Sequence, residues 1–294
     1  MPSAPATAAP WPLVLVLTLV WGTNWPLFAM AVQEVSVWTF RAISVLISGS
    51  LLLLWSRWRG ESLRIPRAHW KTVAAAAFAY LGVWNIASTY AAVLIPSGQA
   101  AVLGFTMPLW AAIGGHFVLG QRLDARSLLA LALGAAGVLL LAFIGWDASL
   151  STQLGFGLGL LAAMGWAAGT LILKRFPVPV SSTVLTGWQL LTIGVPFMAV
   201  ALATGSRQWF MPSWTSLAVI GYISMVPMAV GNAAWFTIVR KVPAHVAALS
   251  PVLVPVVAMV TGAVVDGDPL GPYELLAMLL CISGVALNLR PRPL

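Results

Sequence analysis

The sequence predicts an all-α membrane protein with ten transmembrane helices arranged as two inverted five-helix repeats. Three observations lead there. First, 60% of the 294 residues are hydrophobic and only 7% are charged, with a mean hydropathy of +0.95; a water-soluble domain needs far more polar surface than that. Second, the chain divides into ten apolar runs of about 19 to 24 residues, each long enough to cross a bilayer. Third, the stretch Pro96 to Leu140 returns without a gap 147 residues later as Pro243 to Leu287, with 16 of 45 positions identical. The identities include Pro96/Pro243, Ala101/Ala248, Pro108/Pro255, Gly115/Gly262, Gly120/Gly267 and Gly137/Gly284, and just upstream Asn85 and Asn232 share the offset. A unit that crosses five times ends on the far side, so its second copy must insert upside down.

The first repeat, residues 11–146, opens with span 1 (11–32), which carries Trp21, Asn24 and Pro26. Met1 to Pro10 has no basic stretch, so span 1 reads as a retained helix rather than a cleaved signal. Span 2 (36–56) holds Arg41 near one end. Span 3 (71–94) places Tyr80, Trp84 and Ser88 at i, i+4 and i+8, a helical stripe, with Asn85 and Tyr90 nearby. Span 4 (97–119) carries Pro108 and Trp110, and span 5 (127–146) carries Ala130, Gly134 and Gly137 on one face. The second repeat, residues 153–289, follows the same plan: span 6 (153–173) with Trp166, span 7 (180–204) with Trp188, Gln189 and Pro196, and span 8 (214–239) with Pro227 and Asn232. Span 9 (244–265) has Pro251 and Pro255, and span 10 (271–289) has the single Cys281, which leaves no disulfide and no cysteine metal site.

Charge sets the expected orientation. The formal net charge is +8, and thirteen of the fifteen Lys and Arg fall in connections on the side of the N-terminus, from Arg57 and Arg59 through Arg122, Lys174 and Arg240 to Arg290 and Arg292. Glu34, Asp147, Asp266, Asp268 and Glu274 fall on the other side. The positive-inside rule then puts both termini in the cytoplasm, and the basic balance calls for no nucleic acid. The partners expected are the lipid bilayer and a small-molecule substrate, and ten helices around an internal pseudo-two-fold axis suffice as a monomer. No cofactor is expected, and no His, Cys or carboxylate cluster stands at metal-ligand spacing.

The Trp21-Gly22-Thr23-Asn24 turn, Arg41 early in span 2, the proline-led spans 4 and 9, and the endings Ala136 to Leu139 and Ser283 to Ala286 resemble the drug/metabolite transporter superfamily with paired EamA-type domains. Within it the nearest likeness is to bacterial amino-acid exporters. The resemblance implies a ten-helix fold in a bacterial inner membrane and export of small metabolites. Spans 5 and 10 also resemble the dimerising last helix of the four-helix small multidrug pumps, which implies that they join the halves. One departure is Gln121, where the family often has an acid; Asp266 and Asp268 stand near the matching place in the second half.

The residues that would meet a solute are polar or aromatic groups at membrane depth, where an unpaired polar atom is expensive. They are Trp21, Asn24, Tyr80, Trp84, Asn85, Ser88, Tyr90, Trp110, Trp166, Trp188, Gln189 and Asn232. Amides and hydroxyls suit the ends of a zwitterion, and indoles suit its side chain. Trp21 and Trp166 occupy corresponding places in spans 1 and 6 and are expected to flank one chamber. Pro26, Pro108, Pro227, Pro251 and Pro255 interrupt the backbone ladder and are expected to act as hinges or gates. Arg41 reads either as a carboxylate ligand or as a cation that snorkels outward or pairs with Glu34. All seven carboxylates lie in or near connections, which points to facilitated movement without obligatory proton exchange.

The leading reading is therefore export of aromatic or neutral amino acids, or related metabolites, by alternating access. A broad exporter of lipophilic compounds on the same scaffold is the alternative. An intramembrane enzyme would need a His with a carboxylate, or a Ser with a Lys, at common depth, and neither occurs within the spans.

Overall fold

Several helices of this chain start where a short hydroxyl or carboxylate can take the free N–H groups of a first turn. The computed structural model describes residues 11–144, 149–205, 212–235 and 249–289. Helix α1 spans Pro12–Ala31, α2 Val37–Trp58, α3 Arg67–Leu94, α4 Ser97–Leu119 and α5 Ala125–Ile144. The second half supplies α6 (Leu150–Arg175), α7 (Ser182–Thr204) and α8 (Trp214–Trp235), followed by α9 (Leu249–Val265) and α10 (Pro272–Leu289). Ser36, Ser149 and Ser213 cap α2, α6 and α8 by accepting from the N–H three residues on, at 3.1, 3.4 and 3.2 Å. Asp124 does the same for α5, accepting from Ser127 N at 2.8 Å.

Eight of the ten helices are long and apolar enough to cross a membrane. The described apolar stretches of α9 and α10, Val252–Val265 and Pro272–Leu287, are shorter. Expected spans 8 (214–239) and 9 (244–265) run partly through 236–248, outside the described residues, as do Pro243, Ala248 and His245. The side chain of Pro251 is also outside them.

The internal repeat is legible in backbone detail. α4 ends at Gly120 and α9 is followed by Gly267, both in the left-handed region with φ of 65° and 70°, a conformation that costs any residue with a Cβ. The residue after each glycine turns its N–H back to the carbonyl of a repeat-related glycine: Gln121 to Gly115 and Asp268 to Gly262, both at 3.2 Å. Helix α3 widens into a π-helix over Ala77–Val83, and α8 does so over Ser224–Val230, segments that coincide under the 147-residue offset.

Packing follows the same symmetry. α5 lies along α10 and α2 along α7, each helix beside its own repeat equivalent, and α4 crosses α9. A Cβ on Gly137 would stand 2.5 Å from Cys281 Sγ and 2.7 Å from Ala277 O, and one on Gly284 would stand 2.5 Å from Ala130 O. The α5–α10 contact is thus a backbone-to-backbone approach built on small residues, as expected for the pair that joins the halves; lipid supplies no hydrophobic drive between helices, so close van der Waals contact must hold them. α6 packs on α3 and α4, while its counterpart α1 packs on α9 and α8. The largest buried cluster draws on α1 to α5 and α8 to α10 and includes Trp25, Phe28, Phe40 and Phe105.

Two of the prolines follow an interruption of their helix by about a turn, and others do not. α1 is interrupted at Thr23, between segments Trp11–Gly22 and Asn24–Ala31, because the Pro26 ring displaces the carbonyl four residues earlier, that of Gly22. α4 is interrupted between Gly104 and Met107, four residues and one residue before Pro108. Pro255 sits inside a continuous α9 and Pro227 inside the π-turn of α8.

A candidate substrate site where two helices break

Both interruptions face one group of aromatic rings. Trp25 follows the α1 break by two residues and Phe105 lies in the α4 break; their ring centroids are 6.2 Å apart. Trp84 of α3 meets both edge-on, at 6.0 Å from Trp25 and 6.1 Å from Phe105. Gly104 supplies the floor: a Cβ there would stand 3.1 and 3.2 Å from the far edges of the Trp25 and Trp84 indoles. From Trp84 the rings continue to Trp166 of α6 at 4.8 Å and on to Tyr80 at 4.2 Å. In the other direction they run from Trp25 to Phe28 at 5.5 Å and Phe28 to Phe40 at 6.2 Å. Edge-to-face pairs of this kind each contribute about 0.5–1.5 kcal/mol beyond area burial.

Arg41 closes that end of the string. Its guanidinium carbon lies 4.2 Å from the Phe28 ring centre and 4.6 Å from that of Phe40. Nε donates to Thr89 Oγ1 at 2.5 Å, and Thr89 in turn donates to the Asn85 backbone carbonyl at 2.6 Å. Nη1 reaches the Met228 sulfur at 4.0 Å, and Nη2 is buried with no hydrogen-bond partner. The side chain is 2% exposed. The expectation that Arg41 snorkels or pairs with Glu34 is therefore corrected. Glu34 instead accepts from Ser213 N at 2.6 Å, and that bond, then Ser216, holds its carboxyl below the usual range.

Of the residues expected to meet a solute, Tyr80, Trp84 and Trp166 come together in this cluster. Asn24 and Ser88 lie on the same helices, one residue from Trp25 and one turn from Trp84, and Asn24 Oδ1 and Ser88 Oγ are buried without partners. Gln189 Nε2 is likewise buried and unpartnered, on α7. Tyr90 is half-buried near the end of α3.

The remaining candidates are engaged elsewhere. Asn85 Nδ2 donates to Leu81 O at 2.8 Å and Asn232 Nδ2 to Met228 O at 2.5 Å. These are repeat-related bonds, each to a carbonyl of the π-helix in the same chain segment. The wide turn disturbs the backbone ladder, and the asparagine amide adds a donor to it; at Leu81 it joins the Trp84 N–H on the same carbonyl. Trp21 does not flank a chamber with Trp166. Its indole donates to Pro227 O at 3.0 Å and its ring packs on Trp235 at 5.8 Å, so it serves the second π-turn; Ser48 adds a bond to Ser224 O at 2.7 Å. Trp188 donates to Leu63 O at 2.8 Å and meets Trp70 edge-on, at the end of the bundle.

Trp110 bonds Thr106 Oγ1 at 3.2 Å and lines a groove of about 420 Å³ between α4 and α6, with Met164, Leu171 and Arg175 among its other walls. Trp25, Phe28, Phe40, Phe105 and Thr89 were not singled out by sequence. The usable signal was Trp25-Pro26 in span 1 and the pair Phe105-Thr106 ahead of Pro108, aromatic residues beside a helix breaker.

Ten apolar helices around buried aromatic and polar groups, with two helices discontinuous at that point, is an arrangement suited to a transporter. The model of the EamA-like transporter family matches residues 11–143 and again 153–290. The chain belongs to that family. It is thus a multi-pass membrane transporter, not an enzyme, and its substrate is a small molecule. It is 28% identical over 279 residues to the uncharacterized transporter YvbV of Bacillus subtilis, covering 94% of this chain and 90% of the relative. It is 26% identical to the uncharacterized inner membrane transporter YedA of Escherichia coli, covering 93% and 88%. It is 23% identical to the probable amino-acid metabolite efflux pump of Escherichia coli, covering 94% and 93%. A solved crystal structure superposes with a TM-score of 0.67 over 94% of each chain at 18% identity, which supports the fold alone.

Proposed function

We propose that this EamA-like transporter exports amino acids with aromatic or neutral side chains, or closely related metabolites, from a bacterial cytoplasm across the inner membrane. Both termini are cytoplasmic, a monomer suffices, and transport is by alternating access without obligatory proton exchange. The observation that carries the reading is the aromatic cluster of Trp25, Tyr80, Trp84, Phe105 and Trp166, set where α1 and α4 break. Rings of this kind bury an apolar solute side chain. Backbone released at the breaks, and the buried partnerless Asn24 Oδ1 and Ser88 Oγ, can satisfy an ammonium or carboxylate. The relative whose name mentions amino-acid metabolite efflux supports the same substrate class. Deep carboxylates are absent from the described part of the spans, and that supports movement down the solute's own gradient.

The test is flux of radiolabelled phenylalanine in proteoliposomes with equal pH on both sides. Flux is expected in both directions, and Trp84→Ala and Trp25→Ala should lower it by about tenfold each, since each removes one ring contact with the aromatic solute, worth about 0.5–1.5 kcal/mol. Flux only under an imposed proton gradient would defeat the facilitated mechanism. Unchanged flux in both variants would defeat the site.

A further inference from the structure

The family and the aromatic cluster leave the charge of the solute open, and Arg41 bears on it. An arginine keeps its proton, and a buried cation normally sits beside a carboxylate, because desolvation is otherwise uncompensated. Six of the seven carboxylates lie among the described residues, and each is used at a helix end. Glu34 takes Ser213 N, Glu61 takes Ser181, Asp124 takes Ser127, Asp266 and Asp268 take Ser97, and Glu274 takes Gly271 N. No carboxylate of the described residues reaches Arg41, whose one donated bond to oxygen goes to neutral Thr89. Two aromatic faces and a thioether complete its surroundings, and Nη2 remains free.

We propose that Arg41 is the anion receptor of the transport site and that the solute carries a carboxylate, which completes the guanidinium while its side chain lies along the rings of Phe28, Trp25 and Trp84. This rests on the transport reading given above and narrows it. A planar fork of donors with one arm already fixed by Thr89 matches a carboxylate in geometry as well as charge. The Phe28 and Phe40 faces hold the guanidinium between binding events, so the site survives empty. A zwitterionic amino acid fits, and so does an aromatic acid without an amine; an aromatic amine does not.

Three probes separate these cases in proteoliposomes: phenylalanine, 3-phenylpropionate, which lacks the ammonium, and phenethylamine, which lacks the carboxylate. The parent protein is expected to move the first two and to move phenethylamine about a hundredfold more slowly, since a site built around a polar group strongly rejects an analogue that leaves it unpaired. Arg41→Met should abolish that preference and lower flux of both acids, while Arg41→Lys, with charge but no fork, should keep part of it. The comparison of probes on the parent needs no variant, so a variant that fails to fold does not remove the test. Equal flux of all three probes on the parent would overturn the role of Arg41 and leave the transport function standing. So would an Arg41→Met protein that folds and keeps its preference for acids. Failure of the parent to move any probe would sink the functional reading and this inference with it.

Discussion

Asn85 and Asn232 show how a residue can be symmetric, polar, deeply placed and yet serve the backbone. Each donates to the carbonyl four residues back, at the end of a π-helical turn. Leucine at either position would remove that bond in a low-dielectric setting, at about 0.5–1.5 kcal/mol. Asn85→Leu and Asn232→Leu are therefore expected to lower the melting temperature of the detergent-purified protein while leaving the concentration of phenylalanine that half-saturates transport within about twofold, since neither amide donor is free for solute. An unchanged melting temperature with a large loss of affinity would show instead that the asparagines bind solute. The same logic separates Trp21 from Trp84. Both are indoles at similar depth in the sequence, but Trp21 spends its N–H on Pro227 O, whereas Trp84 contributes its ring to three aromatic neighbours.

Among the elements, α4 and α9 are repeat partners whose ends are tied together by charge. Ser97, at the start of α4, donates to Asp268 at 2.9 Å and to Asp266 at 3.5 Å, and Gly98 N adds a bond to Asp268 at 3.4 Å. Burial pushes the Asp266 carboxyl above its usual value, the charge of Asp268 adds to this, and the Ser97 bond partly offsets it. The sign follows from linkage: a raised acid prefers its protonated form in this arrangement. The packed arrangement of this end, rather than the Ser97 bond itself, is thus favoured at low pH and loses that advantage as pH rises from the ordinary carboxylate range through the raised value. If this end faces outward, as proposed, external acidification should slow export, and Asp266→Asn should remove that dependence on the external side only. Flux measured at fixed internal and stepped external pH decides it; an identical pH profile in parent and variant would reject the tie as a gate. The two π-turns and the two broken helices belong to the same scale, since both place irregular backbone inside the bundle, where protein rather than lipid covers it.

For the whole molecule, five crossings in each repeat turn the second copy over, and every statement about inner and outer faces depends on that. Cysteine labelling in intact cells is expected to find Met1 and Leu294 on the cytoplasmic side, and Gln121 and Gly267 on opposite sides; Gln121 and Gly267 on one side would break the inverted arrangement. The symmetry is not complete in detail. α1 and α4 are broken, whereas their counterparts α6 and α9 run through without a break over their described residues, and the aromatic cluster draws on α1, α3, α4 and α6 rather than on equal shares of both halves.

Residue patterns alone determined the fold class, the number of helices and the repeat, because apolar run length and small-residue spacing are local properties that the bilayer reads one helix at a time. They also exposed three members of the aromatic cluster, Tyr80, Trp84 and Trp166, since an aromatic at depth stands out in any apolar run. Tertiary structure alone decided which polar groups are free. Whether Arg41 meets Glu34 or stands among rings, and whether Asn85 faces solute or its own backbone, depends on where the chain folds back and on π-turns that shift the helical register. A hydrogen bond is a matter of ångströms between residues far apart in sequence, and no spacing rule carries that distance.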